Sequence, residues 1–290
     1  SVISVLEPGE YILHEEQAPT EQGYVRAEDV KFVVEETGDV QKAKMEDDHT
    51  KVSISKTDIT DGKEIEGAKL QILDQDGEVV ESWTTGEEHL IEYLPVGTYT
   101  LHEEAAVDGY IVANDVEFTV EETGEIQKVK MEDERAMGQL VIVKTDTDSK
   151  AALEGVEFVL LEKETGKEVG RLKTGKDGKA VSELLPIGTY ENGVFKEPIT
   201  YVLKETATLK GYEKTEEEWE IVFTYQNDKT PVIEVVKEIQ NKKIPETPGT
   251  VKPGPKTGDD TNWFLPLLAL GVSAGMVAGL LYYRKRHKKA

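Results

Sequence analysis

One stretch of this chain is written three times. YILHEEQAPTEQGY over residues 11–24 returns as YTLHEEAAVDGY over 99–110 and as YVLKETATLKGY over 201–212. Flanking segments repeat with it: VKFVVEETGDVQKAKMEDD from Val30 matches VEFTVEETGEIQKVKMEDE from Val116, and ISKTDITDGKEIEGAKLQIL from Ile54 matches IVKTDTDSKAALEGVEFVLL from Ile142. Self-similarity of this kind dictates an array of related units and constrains the architecture before any single residue is considered. Inside each copy, short runs rich in Val, Ile, Thr, Tyr and Phe alternate apolar with polar residues and are punctuated by Gly, Asp, Asn or Pro. A period of two gives a strand one face for a core and one for water. Asp76-Gly77-Glu78 and Asp177-Gly178-Lys179 are hairpin signals, because glycine takes positive φ without steric cost. Asp74-Gln75-Asp76-Gly77 resembles the start of a calcium loop but lacks the later Glu ligand, which favours a plain turn. No segment from residue 1 to 243 carries a capped helical period, so the predicted fold is all-β: tandem antiparallel β-sandwich modules.

The copies also set boundaries. Residues 1–49 are expected to be the C-terminal part of a truncated module, 50–135 a complete one and 136–243 a longer complete one, with a linker and motif over 244–258 and a membrane helix with basic tail over 259–290. The chain opens at Ser1 inside a copy, without an initiator Met or secretory segment, and is expected to be a fragment. The extra length of the third copy is ENGVFKEPI, residues 191–199, which separates Tyr190 from Tyr201 and reads as a tolerated surface loop.

Composition removes several classes of function. A formal net charge of -24, from 58 acidic against 34 basic residues, would repel a phosphate backbone, so nucleic acid is not an expected partner. The absence of cysteine excludes disulfides and thiolate chemistry. Five scattered histidines offer no HExxH or paired ligand spacing, so neither a metal site nor a cofactor is expected. No nucleophile–base–orienter arrangement or phosphate loop is present, which argues against a turnover enzyme.

A strand ending in Lys-Thr-Asp, an L-P-x-G-x-Y turn and a Y-x-L-x-E segment closing on Gly-Tyr together resemble the Cna B-type or SpaA-like domains of Gram-positive adhesins and pilins. The turn stands at Leu94-Pro95-Val96-Gly97-Thr98-Tyr99 and at Leu185-Pro186-Ile187-Gly188-Thr189-Tyr190. This resemblance covers nearly all of residues 1–243 and implies Ig-like, prealbumin-like sandwiches serving as stalks, pilus shafts or ligand binders. A pilin motif of the Tyr-Pro-Lys kind is absent, which puts a polymerised shaft subunit second to a stalk.

The C-terminal stretch reads differently. KIPETPGTVKPGPKT, residues 243–257, is too rich in Pro, Gly and Thr to pack a core and is expected to be an extended linker. From Trp263 to Tyr283 no residue is charged. As a helix at ~1.5 Å per residue this span is about 31 Å long, enough to cross a bilayer. It ends in Arg284-Lys285-Arg286-His287-Lys288-Lys289, which predicts a cytoplasmic tail and external modules. An ordinary membrane anchor is one reading. The other comes from Pro255, Lys256, Thr257 and Gly258, which resemble the LPxTG signal of sortase substrates, although Gly254 stands where Leu is usual. That resemblance implies a sortase partner, cleavage after Thr257 and transfer to an amine of the peptidoglycan precursor, with the membrane engaged through 263–283 before processing.

Parity along the strands yields the last candidate residues. Side chains two apart share a face, so Val52 and Ile54 bring Lys56 to the apolar side, Tyr99 and Leu101 bring Glu103, and Val129 and Met131 bring Asp133. The third module repeats this with Lys144, Glu205 and Asn241. Buried ion pairs, or strand-end residues whose heads reach water, would explain one triplet. Two triplets together with the family resemblance imply Lys–Asp and Lys–Asn isopeptide bonds, with Glu103 and Glu205 catalysing their formation. The expected protein is a wall-anchored cell-surface stalk and sortase substrate, self-crosslinked but otherwise not an enzyme. The alternative is a pilin subunit, or an adhesin whose host or surface ligand the sequence does not identify.

Overall fold

The computed structural model describes residues 2–3 and 5–246. The first copy supplies β1 (Gly9–Leu13), β2 (Tyr24–Val25), β3 (Val30–Val34) and β4 (Asp48–His49), with a single 3-10 turn at Thr20–Gln22. In the second copy follow β5 (Lys51–Asp58), β6 (Lys69–Leu73), β7 (Val79–Thr84), β8 (His89–Glu92), β9 (Gly97–Ala105), β10 (Tyr110–Ile111), β11 (Val116–Val120) and β12 (Ile126–Arg135). The third contains β13 (Met137–Asp146), β14 (Glu157–Glu162), β15 (Glu168–Lys173), β16 (Lys179–Val181), β17 (Leu185–Pro186), β18 (Gly188–Glu191), β19 (Val194–Pro198), β20 (Thr200–Ala207), β21 (Glu218–Val222) and β22 (Val232–Asn241).

Two sheets enclose each complete core. In the second module the order β10-β12-β5-β8 faces β11-β9-β6-β7. Val52, Ile54, Leu70, Ile72, Leu101 and Met131 meet between them, all buried. Each such side chain contributes roughly 1.5–3 kcal/mol relative to exposure. In the third module β22 and β16 flank β13, opposite β15-β14-β20-β21. Leu140, Ile142, Phe158, Leu160, Leu203 and Phe223 fill that core.

The expectation of purely antiparallel sheets needs one correction. β5 and β12 pair in parallel from Lys51↔Ile126 to Asp58↔Asp133, and β13 and β22 from Met137↔Val232 to Asp146↔Asn241. Parallel neighbours require a long crossover, which the intervening strands of each module provide. The first and last strands of a module therefore lie side by side and run the same way. A second correction concerns the Gly178 turn. It takes φ +71 as expected, but it joins β15 to β16, which belong to different sheets, so it is a corner and not a hairpin. The Gly77 turn is a true hairpin between β6 and β7, with Asp74 Oδ1 accepting the N–H groups of Asp76 and Glu78.

Residues 2–49 hold half of this design. β1 pairs with β3. Tyr11, Leu13 and Val34 are only half-buried, whereas their counterparts Tyr99, Leu101 and Val120 are buried, because no second sheet lies on them within residues 2–49.

Candidate functional site

On β5 the alternation that buries Val52 and Ile54 carries Lys56 inward to 1% exposure. Glu103 on β9 and Asp133 on β12 arrive on the same core by the same parity, both buried. The ladder sets Lys56 opposite Met131, so Asp133 stands two residues further on and on the same face. Lys56 Nζ donates to Asp133 Oδ1 and lies 3.0 Å from Glu103 Oε2. The Ala113 N–H also donates to Glu103 Oε2, at 2.6 Å. Burial pushes the Asp133 carboxyl up to about 7; the Lys56 charge opposes this and the Glu103 charge adds to it. Glu103 Oε1 and Asp133 Oδ2 are buried without a hydrogen-bond partner, and the raised Asp133 carboxyl favours holding a proton.

The third module repeats the arrangement with an amide. Lys144, Glu205 and Asn241 are all buried, and Asn241 again stands two residues beyond the partner of the lysine, Ile239. Lys144 Nζ donates to Asn241 Oδ1 at 2.5 Å and lies 2.9 Å from Glu205 Oε2. Asn241 Nδ2 donates to Glu205 Oε1 and to Thr208 Oγ1, each at 2.7 Å. Burial pulls the Lys144 pKa down, against the attraction of Glu205. The Phe158 ring, 5.8 Å from Lys144 Nζ, is part of that apolar surround.

Lys144, its charge disfavoured by burial, can thus act as an amine nucleophile on the adjacent Asn241 carbonyl carbon, with Glu205 bridging the amine and the nitrogen that would leave. Lys56, Glu103 and Asp133 bring the same kinds of group together in the second module. Strand parity located six of these residues. It missed Thr208 and the Ala113 N–H, because neither lies on a core strand in register with the triplet. In the first copy Glu15 accepts the Ala27 N–H at 2.8 Å, as Glu103 accepts that of Ala113. Asp47, which matches Asp133, is exposed, and the lysine strand has no counterpart within residues 2–49. Pro255, Lys256, Thr257, Gly258 and the span 263–283 lie outside the described residues.

Residues 191–199 do not form the free surface loop expected of them. β18 and β19 pair as a hairpin, turned at Asn192-Gly193 with φ +51 and +68. The hairpin seats on the second module: the Tyr190 hydroxyl donates to the Gly109 carbonyl at 2.8 Å, and the Arg135 guanidinium sits 4.1 Å from the Tyr190 ring centre. Arg135 is itself held by Asp58 Oδ2 at 2.6 Å and Asp61 Oδ2 at 3.0 Å. Only Ala136 separates β12 from β13, and its N–H donates to Gly109 at 2.8 Å. The hairpin also decides which tyrosine closes the turn of the third module. Tyr99 donates to the Pro95 carbonyl, and in the third module it is Tyr201, not Tyr190, that donates to Pro186. The insertion carries Tyr190 away and leaves Tyr201 in its place.

The family model described as SpaA, prealbumin-like fold domain, matches residues 50–135 and 138–198. Among solved structures, the Bacillus anthracis TIE protein is 30% identical over 82% of this chain, with a TM-score of 0.52. The match covers 43% of that protein, so this chain spans less than half its length. The shaft pilin SpaA of Lactobacillus rhamnosus GG is 15% identical over 69% of this chain and 99% of its own, at a TM-score of 0.27. GBS52, the minor pilin of Streptococcus agalactiae, is 20% identical over 70% of this chain and all of its own, at 0.30. No curated protein matches the sequence.

Proposed function

The chain belongs to the SpaA prealbumin-like domain family, and on that premise we propose that it is a cell-surface stalk whose modules crosslink themselves and whose C-terminal end is anchored to the wall by a sortase. One observation carries the reading: a cysteine-free chain twice buries a lysine beside a carboxyl and an Asp or Asn, in each case between the first and last strands of a sandwich. Leaving such lysines as salts is costly, since effective desolvation is several kcal/mol per ion. Turning them into amides removes both charges of the Lys56–Asp133 pair and the ammonium charge of Lys144. In the second module Lys56 Nζ attacks Asp133 Cγ, the new C–N bond replaces a C–O bond, and water leaves. In the third, Lys144 Nζ attacks Asn241 Cγ and the Cγ–Nδ2 bond breaks to release ammonia. Glu103 and Glu205 take the proton from the amine and deliver it to the leaving group, so each glutamate ends as it began. Closing loops of this length, with partners 77 and 97 residues apart, stabilises by roughly 4 to 5 kcal/mol if amides act on the unfolded chain as disulfides do.

Intact mass tests the reading. The full chain should be lighter than its sequence by one water and one ammonia, with the losses mapping to peptides that join Lys56 to Asp133 and Lys144 to Asn241. Full sequence mass would remove it. Anchoring rests separately on the order of motif, apolar span and basic tail in the sequence. Thr257→Ala should leave the chain in the detergent-extractable membrane fraction while the modules stay folded; unchanged wall attachment would overturn the sortase assignment.

A further inference from the structure

The two sites differ in their acceptor, and they differ again three residues after the glutamate. Thr208 follows Glu205, whereas Ala106 follows Glu103; in the first copy Ala18 follows Glu15, with Asp47 at the acceptor position. Amide chemistry accounts for this pairing of Asn with Thr and Asp with Ala. A protonated carboxyl has one O–H to donate, and a single carboxylate satisfies it. An amide has two N–H groups, and a buried donor without a partner is costly. Asn241 Nδ2 uses both: Glu205 Oε1 accepts one and Thr208 Oγ1 the other, each at 2.7 Å. Together they fix the amide plane so that Oδ1 faces Lys144 Nζ at 2.5 Å. A flipped amide would aim its N–H groups at the lysine, which has only donors when charged.

We propose that Thr208 is a positioning residue that adapts the third site to an amide acceptor, holding the nitrogen that departs as ammonia; this rests on the crosslink reading above. Thr208 neither gives nor takes the proton in the net reaction. It accepts one N–H while Glu205 moves the proton from Nζ to Nδ2, and it stays hydrogen-bonded to the nitrogen as the Cγ–Nδ2 bond lengthens.

The experiment follows ammonia and water loss from the full chain by intact mass and peptide mapping at intervals after cell-free synthesis. Wild-type chain sets the reference rate at the third site. Thr208→Ala is expected to slow ammonia loss about tenfold, the effect of roughly one hydrogen bond, and Thr208→Ser to restore it. Asn241→Asp is expected to lose water at a rate that no longer depends on whether Thr208→Ala is also present. That insensitivity separates amide positioning from general packing. Equal rates in wild type and Thr208→Ala, or an Asn241→Asp chain slowed as much by Thr208→Ala, would overturn the proposal and leave the crosslink reading standing. Wild-type chain that loses no ammonia would remove both. Should Thr208→Ala fail to fold, the second site decides: Asp133→Asn should react slowly, adding Ala106→Thr should accelerate it, and no acceleration would overturn the proposal.

Discussion

Replacing Glu103 by Gln removes the proton carrier of the second site while nearly preserving its shape, so the chain should fold without a Lys56–Asp133 bond. The mechanical consequence follows from the parallel pairing of β5 with β12. A chain pulled at its ends loads β5 at Lys51 and β12 at Arg135, which draws the two strands past each other in shear. With the amide in place, force runs from Lys51 to Lys56, across to Asp133 and out through Arg135, and everything between the crosslinked residues is bypassed. Without it, shear rupture frees the segment between positions 56 and 133, a separation of 77 residues. At ~3.4 Å per residue that adds about 260 Å of contour length. Single-molecule force spectroscopy on the full chain reads this directly: the wild-type second module should yield no unfolding step, and Glu103→Gln should yield one of about that length. A wild-type chain that shows the step would refute the bypass, as would a Glu103→Gln chain that keeps the second-site water and does not.

Glu205→Gln should lower the unfolding free energy of the third module by about 4.7 kcal/mol for its long loop, seen calorimetrically as a midpoint roughly 20 °C or more below wild type. At the joint, Tyr190→Ala combined with Phe195→Ala, whose ring packs edge-on against Tyr190 at 5.5 Å, should broaden the distance distribution between spin labels on the second and third modules; an unchanged width would mean that the hairpin does not restrain them. Asp58 gives a pH dependence. Burial would raise its carboxyl, but hydrogen bonds from Thr60 N–H, Tyr110 and Arg135 outweigh that and hold it below its ordinary 3.8. A depressed carboxylate contributes stability that is full above the unfolded value and is lost as pH falls through the folded one. Acid titration of wild type should therefore show a stability loss below about pH 4 that Asp58→Asn largely lacks, and identical curves would contradict the assignment.

Strand parity was enough to bring Lys56, Glu103 and Asp133 to one core, since a period-two rule fixes faces without knowing which strands are neighbours. Neighbours are another matter. The parallel pairing of first and last strands depends on how the whole module closes, and no local pattern in β5 or β12 encodes it. Family resemblance supplied what periodicity could not, the idea that the three groups react. It carried nothing about Thr208, whose signal lay in a comparison between copies: an acceptor change from Asp to Asn at one end of the module and from Ala to Thr at another.

The insertion shows how a correct motif can carry the wrong residue. Leu185 to Tyr190 spells the same turn as Leu94 to Tyr99, yet the hydroxyl that closes the third turn onto Pro186 belongs to Tyr201, fifteen residues after it. Two tyrosines compete for one position. The one on β20 wins because its side chain lies on the buried face with Leu203 and Glu205. Tyr190 is then free to leave the turn, and the Asn192-Gly193 reversal sends it against Arg135 and Gly109 of the preceding module. Arg135 is also the last residue of β12, two beyond Asp133. The same short strand end therefore bears the proposed crosslink acceptor, the Asp58 pair and the face on which the hairpin closes. In a stalk, tension that leaves the second module through Asp133 meets this joint next, and Ala136 alone connects it to β13 and, seven residues along that strand, to Lys144. With both proposed crosslinks formed, covalent path and clamped joint are in series, and a tandem so built can transmit force while both sandwich cores stay unloaded.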